Sequence, residues 1–190
     1  MARWRNYSIV CDQEIQFLVD TLRCSPDGDV VVAGSYMGGD VMALMEAFPC
    51  RNYVVIDSFK GLAQPTAGDD GTAHGVGEFS CGGLDRYKQN FIDAEYDLPD
   101  EIHQMFIDEK TLAKIEPRPI ALLWLDLDFY APTRDCIKHF YNQIVPGGKI
   151  LTHDYEWNHT PGVTRAVNES GLVWQKGVGV IAYTEKGSPQ

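Results

Sequence analysis

Asp29-Val30-Val31-Val32-Ala33-Gly34-Ser35-Tyr36-Met37-Gly38-Gly39 is the stretch on which the fold turns. Asp29 to Ala33 is a short, continuous apolar run, the pattern of a strand covered on both faces. Gly34 to Gly39 is a turn of small residues. Val41, Leu44, Met45 and Phe48 then recur with helical spacing until Pro49 stops them. Strand, glycine turn and helix in this order form a nucleotide-binding unit. Glycine lets the backbone come close to a ligand, and a helix start offers free N–H groups.

The same alternation continues outward. Ile15, Leu18, Val19 and Leu22 mark an amphipathic helix ahead of the first strand. Tyr53 to Ile56 is a second buried strand with Asp57 at its end. Leu84, Tyr87 and Phe91 mark a helix, Ile102 to Ile107 a strand ending at Asp108, and Thr111 to Ile115 a short helix. Ile120 to Leu125 is the most apolar strand, followed by Asp126-Leu127-Asp128. Pro132 suits the first turn of the helix carrying Ile137, Phe140, Tyr141 and Ile144. Pro146-Gly147-Gly148 turns into a strand from Lys149 to Thr152, which ends at His153-Asp154. Thr160-Pro161 reads as a helix cap and first turn. Leu172 to Gln175 and Val178 to Thr184 read as a closing antiparallel pair. The pattern predicts a single doubly wound, Rossmann-like α/β domain over residues 1–190. Its seven-stranded sheet is mostly parallel, with an antiparallel carboxyl-terminal strand. The glycine-rich segment from Gly61 to Gly83 reads as a mobile lid.

Composition narrows the partners. The formal charge of -11 repels phosphate backbones and anionic lipid, which argues against nucleic acid and membrane but not against a cationic sulfonium. Five cysteines, odd in number and without zinc-ligand spacing, read as reduced thiols in a reducing compartment. No apolar signal core follows the basic start at Met1 to Arg5, so a cytoplasmic location is expected. Self-association into a homo-oligomer stays open.

In a parallel sheet the ligand sits beyond the carboxyl ends of the strands. Those ends carry Gly34 with Ser35, Asp57, Asp108, Asp126 with Asp128, and His153 with Asp154. Asp57 lies where a carboxylate binds ribose hydroxyls, and Asp108 where one accepts from an adenine amino group. The turn is not the dinucleotide fingerprint G-x-G-x-x-G: Tyr36 and Met37 are bulky, which favours a nucleoside cofactor without phosphates. A hydroxyl acceptor is a poor nucleophile at neutral pH, and an oxygen-bound metal or a nearby base such as His153 corrects that. Tyr130 and Tyr155 are candidates to face the substrate. Two other readings compete. A metal-dependent glycosyltransferase would use Asp126-Leu127-Asp128 but leaves the glycine turn and Asp57 idle. A non-catalytic ligand-binding relative would keep the fold alone.

Val32-Ala33-Gly34-Ser35-Tyr36-Met37-Gly38-Gly39 resembles the first motif of the macrocin O-methyltransferase family, and Asp57-Ser58-Phe59-Lys60-Gly61-Leu62 its second. Leu125-Asp126-Leu127-Asp128-Phe129-Tyr130-Ala131-Pro132-Thr133 is similar to its metal-strand signature, and Pro146-Gly147-Gly148 leading to His153-Asp154-Tyr155 to its fifth strand. The resemblance implies methyl transfer from S-adenosylmethionine to a hydroxyl of a small molecule or sugar, assisted by Mg²⁺. It implies that Gly34, Ser35, Gly38 and Gly39 line the cofactor, that Asp57, with Ser58 and Phe59 beside it, holds the ribose, and that Asp126 and Asp154 hold the metal. The chain departs from the pattern at two acidic positions. Val32 predicts one missing contact to the methionine end. His153 adds a nitrogen to the metal set or supplies the base. The family's longer amino-terminal region is absent, which predicts an acceptor smaller than a macrolide.

Overall fold

The computed structural model describes residues 2–187. A short 3-10 helix at Arg3–Tyr7 precedes α1 (Asp12–Arg23), β1 (Asp29–Ala33), α2 (Gly39–Ala47) and β2 (Tyr53–Asp57). The middle of the chain holds α3 (Leu84–Asp93), β3 (Glu101–Gln104), α4 (Glu109–Leu112), β4 (Ile120–Leu125) and α5 (Tyr130–Phe140). β5 (Ile144–Thr152), α6 (Pro161–Glu169), β6 (Gln175–Lys176) and β7 (Ala182–Glu185) complete it. The sheet has the order β3-β2-β1-β4-β5-β7-β6. The first five of these pair in parallel, and β7 runs antiparallel to both β5 and β6. Among the described residues no helix is long and apolar enough to cross a membrane.

Burial on both faces explains the unbroken apolar strands. Val30 and Val32 of β1 point into one core layer with Leu18, Leu22 and Trp124. Val31 and Ala33 point into the other with Leu123, Leu125 and Phe140. Period-two alternation distributes them. Val32 is therefore fully buried and is a core residue, not a ligand contact.

Several expected boundaries shift: α4 spans Glu109–Leu112 rather than Thr111 to Ile115, and α5 ends at Phe140, short of Tyr141 and Ile144. β3 ends at Gln104 rather than Ile107. β5 begins at Ile144, and Pro146-Gly147-Gly148 forms an irregularity inside the strand where the β4 register shifts. The closing pair shrinks to Gln175–Lys176 and Ala182–Glu185. Pro161 does open α6, but the Thr160 hydroxyl caps no helix N–H and reaches the Asp154 carbonyl at 3.3 Å.

β1 pairs with β2 on one side and β4 on the other, so chain order reverses at β1 and β4. A crevice opens at their carboxyl ends, the usual ligand position in such sheets. Gly34 makes this closure possible. Its φ is +80°, and a Cβ there would lie 1.8 Å from the backbone oxygen of Asp126. Its N–H donates to Ile56 O at 3.0 Å, and Asp126 N–H donates to Ala33 O at 2.9 Å. A Gly34→Ala substitution should therefore cost about 2–5 kcal/mol through strain and overpacking. Urea melts of the two proteins measure it. Equal midpoints would show that the strand ends part without cost.

Candidate active site

A cavity of about 380 Å³ lies at these strand ends. Gly34, Ser35, Asp57, Ser58, Asp126, His153 and Asp154 all line it, which brings together the first, second, fourth and fifth strand ends.

Asp57 staples the glycine turn. Its Oδ2 accepts from Ser35 N (2.7 Å) and Tyr36 N (3.2 Å), and its Oδ1 from Phe59 N (2.6 Å). Burial raises its pKa, and the three N–H donors pull the other way. Each carboxylate oxygen keeps acceptor capacity for a ligand hydroxyl. Ser35 faces the cavity with its backbone, because its hydroxyl pairs with the Tyr87 hydroxyl at 2.9 Å. The Ser58 hydroxyl donates to Gly61 O at 2.8 Å.

Several expected site residues lie elsewhere. Gly38 and Gly39 do not line the cavity; they make room for neighbouring elements. A Cβ at Gly38 would strike the Phe91 ring, and one at Gly39 the backbone of Tyr7 and Ser8. The Phe59 ring is buried against Tyr87, with ring centroids 4.5 Å apart. Asp108 is exposed beyond the shortened β3 and caps α4 through Thr111 N at 2.8 Å. Met105, Phe106 and Ile107 line the cavity there instead. The Tyr130 hydroxyl donates to Glu169 at 2.5 Å, and the Tyr155 hydroxyl reaches Asn168 at 3.4 Å, so both turn toward α6.

Asp126, His153 and Asp154 form one cluster, with a donor atom of each within 4.8 Å of the others. His153 Nδ1 lies 2.8 Å from Asp154 Oδ1 and 3.5 Å from Asp126 Oδ1. Burial disfavours the imidazolium, but Asp126 and the bonds to Asp154 and Glu14 overcome it and raise the pKa well above the usual range. Burial and the neighbouring Asp126 and Asp154 push the Asp128 carboxyl up to about 8. Asp128 and Asp154 both hold positive φ, +59° and +67°, a strain that concentrates at functional sites. Asp154 Oδ2 is buried without a partner, an acceptor that asks for a cation or a donor. The two carboxylates at this spacing fit a divalent metal, and the His153 nitrogen could join them only once a bound cation had displaced the proton that Asp126, Asp154 and Glu14 hold on it.

Two contributors escaped the sequence reading. Glu14 reaches over from α1, its Oε2 in charge contact with His153 Nε2 at 3.4 Å. Its Oε1 also accepts from Val180 N at 3.1 Å. No local motif advertises this role, since Glu14 sits in an ordinary amphipathic helix. Asp69, buried in the glycine-rich segment, accepts from Thr66 N (2.8 Å) and Tyr130 N (2.5 Å). Here a signal existed, because Thr66 and Asp69 have capping-box spacing.

Residues 13–171 match the macrocin O-methyltransferase (TylF) family. The chain belongs to that family of S-adenosylmethionine-dependent O-methyltransferases. The match takes in the glycine turn and Asp57, which glycosyl transfer left without a role. The chain is similar to three solved structures. The O-methyltransferase NovP is 20% identical with TM-score 0.81, over 96% of this chain and 83% of that one. The calicheamicin methyltransferase CalS11 is 18% identical with TM-score 0.75, over 92% and 78%. An apo structure of CalS11, described as a TDP-rhamnose 3′-O-methyltransferase, is 16% identical with TM-score 0.63, over 92% and 78%. At these identities the likeness is one of fold. No curated protein sequence matches the chain.

Glu14 carries a pH signature. Burial alone would raise its carboxyl, but bonds involving His153, Val180 and Cys11 bring it down from 4.5 to about 2. A carboxyl depressed by folding adds stability above pH 4.5, and that stability is lost as pH falls toward 2. Glu14→Gln should lower stability at neutral pH and flatten this acid-side loss. Urea midpoints measured from pH 2 to 7 test it, and identical profiles would detach Glu14 from the cluster.

Proposed function

We propose that this protein transfers the methyl group of S-adenosylmethionine to a hydroxyl of a small molecule or sugar, with Mg²⁺ held by Asp126 and Asp154. The observation that carries the reading is the shared cavity. The turn stapled by Asp57 and the Asp126–His153–Asp154 cluster open into the same space. Gly34, Ser35, Asp57 and Ser58 would hold the cofactor's nucleoside, with the Asp57 carboxylate free to accept from the ribose and Met105 to Ile107 placed to cover the base. A methyl sulfonium is already a strong electrophile, so alignment of the hydroxyl supplies much of the rate. A divalent cation at Asp126 and Asp154 would lower the pKa of that hydroxyl.

His153 stands between the two carboxylates; a cation bound to them would favour its neutral form, in which it either completes the metal set or receives the proton. His153→Asp separates these roles: a ligand role keeps activity and shifts metal preference, whereas a base role changes the pH–rate profile. Residues 61–83 act as the lid. They are tied to the domain by a backbone bond from Ala73 N to His159 O and by Asp69, which accepts from Tyr130 N, contacts that opening would have to break.

S-adenosylhomocysteine should raise the melting temperature, because a ligand bound to the folded state stabilises it. No shift at saturation would count against the cofactor site. Asp126→Asn should abolish transfer and leave S-adenosylhomocysteine affinity within about two-fold, a change well under the ~1.4 kcal/mol of a ten-fold effect. Full activity in excess chelator would overturn the metal assignment and leave His153 as the remaining catalyst.

A further inference from the structure

The geometry points to an acceptor that carries no phosphate or carboxylate and lays a flat ring face against Trp157. This rests on the reading above, in which the cavity presents a hydroxyl to the methyl donor.

The charges of the wall come first. Five aspartates line the cavity (Asp57, Asp69, Asp126, Asp128 and Asp154), and no lysine or arginine does among the described residues. His153 is the one basic side chain there, and it is already flanked by Asp126, Asp154 and Glu14. Phosphates and carboxylates are recognised by guanidinium forks, ammonium groups or free helix N–H groups. The helix start that borders this cavity is that of α5. Its Tyr130 N–H is taken by Asp69 at 2.5 Å, and Pro132 in its first turn has no N–H to offer. An anionic acceptor therefore meets like charge and finds no free cationic side chain among the lining residues to compensate it.

Trp157 supplies the attractive half. It lines the cavity and is held in the turn after Asp154 by a bond from its N–H to Asp154 O at 3.3 Å. Its ring stacks on His159, with centroids 4.7 Å apart and planes 7° from parallel. His74 packs at 5.9 Å on the same ring. The indole is thus braced by imidazoles, yet 36% of it stays exposed. Such a platform binds the apolar face of a sugar ring, a phenol, or a cation above its plane. Beside it, wall carboxylates that are not assigned to the metal can accept from a donor. A hydroxyl or an ammonium group donates; an ionised phosphate does not.

The test uses protein saturated with S-adenosylhomocysteine and matched probes: phenyl β-glucoside with its 6-phosphate, catechol with its monophosphate, and thymidine diphosphate glucose. Binding is read by isothermal titration calorimetry, which does not depend on the residue being replaced. Transfer from labelled S-adenosylmethionine is measured in parallel. The neutral member of at least one pair should bind about ten-fold or more tightly than its phosphate, and the gap should narrow at high salt. The glucoside and catechol arms distinguish a sugar face from a phenol. Trp157→Ala should weaken neutral binding about ten-fold, Trp157→Phe should restore most of it, and the affinity for S-adenosylhomocysteine serves as the folding control. Equal or tighter binding of a phosphorylated probe, failure of every neutral probe, or an unchanged Trp157→Ala would overturn the proposal while methyl transfer stood. Failure of S-adenosylhomocysteine itself to bind would overturn the cofactor reading beneath it.

Discussion

The backbone oxygen of Asp126 stands where residue 34 would place a side chain, and the site depends on that contact. Because Gly34 has none, the ends of β1 and β4 approach closely enough for Asp126 to hang over the glycine turn. The turn is then pinned from the opposite side by Asp57 at the end of β2. Three strands that are distant in sequence are thereby fixed to one another at a single corner. The glycine turn and the Asp126–His153–Asp154 cluster share that corner, so their separation is set by backbone rather than by flexible side chains. Rigid placement of this kind is what transfer between two bound molecules requires.

Carboxylates are gathered at that corner at an energetic cost. Asp128 is pushed up to about 8, and Asp40, which accepts from the Trp124 indole at 2.8 Å just behind it, to about 7. In both cases burial is the larger cause and Asp126 adds to it. Backbone N–H groups and one histidine offset part of this repulsion. The empty-handed Asp154 oxygen belongs to the same pattern: a fold optimised for stability alone would have paired it.

Much of this was legible in the chain. The apolar runs at Val30 and Leu122 dictated a sheet buried on both faces, and the residues after each run named the strand ends that line the cavity. Where the reading failed, the reasons are physical. Gly38 and Gly39 looked like ligand glycines, but glycine is equally demanded by a neighbouring ring or backbone, and sequence does not say which. Asp108 looked like a strand end because Met105 to Ile107 are apolar; they line a cavity, and only Met105 still bonds to β2, its N–H donating to Asp57 O at 2.8 Å. Tyr130 and Tyr155 begin at the right place and turn away, since α6 offers their hydroxyls partners. Glu14 was invisible because its partner His153 lies far along the chain and only the fold joins them.

That junction has a consequence for how the protein is made. Glu14 is held on one side by Cys11 and on the other by Val180, which lies 166 residues away in sequence. The first helix and the loop just before the last strand therefore meet behind His153. During vectorial synthesis the sheet from β1 to β5 can pair before the closing strand emerges. The backing of the histidine cannot, because it needs the donor at residue 180. Until that residue has emerged, the cluster of acidic groups lacks one of its fixed supports. The crevice at the strand ends can therefore form before His153 is fully backed, and the amino-terminal helix waits on the far end of the chain for its last contact.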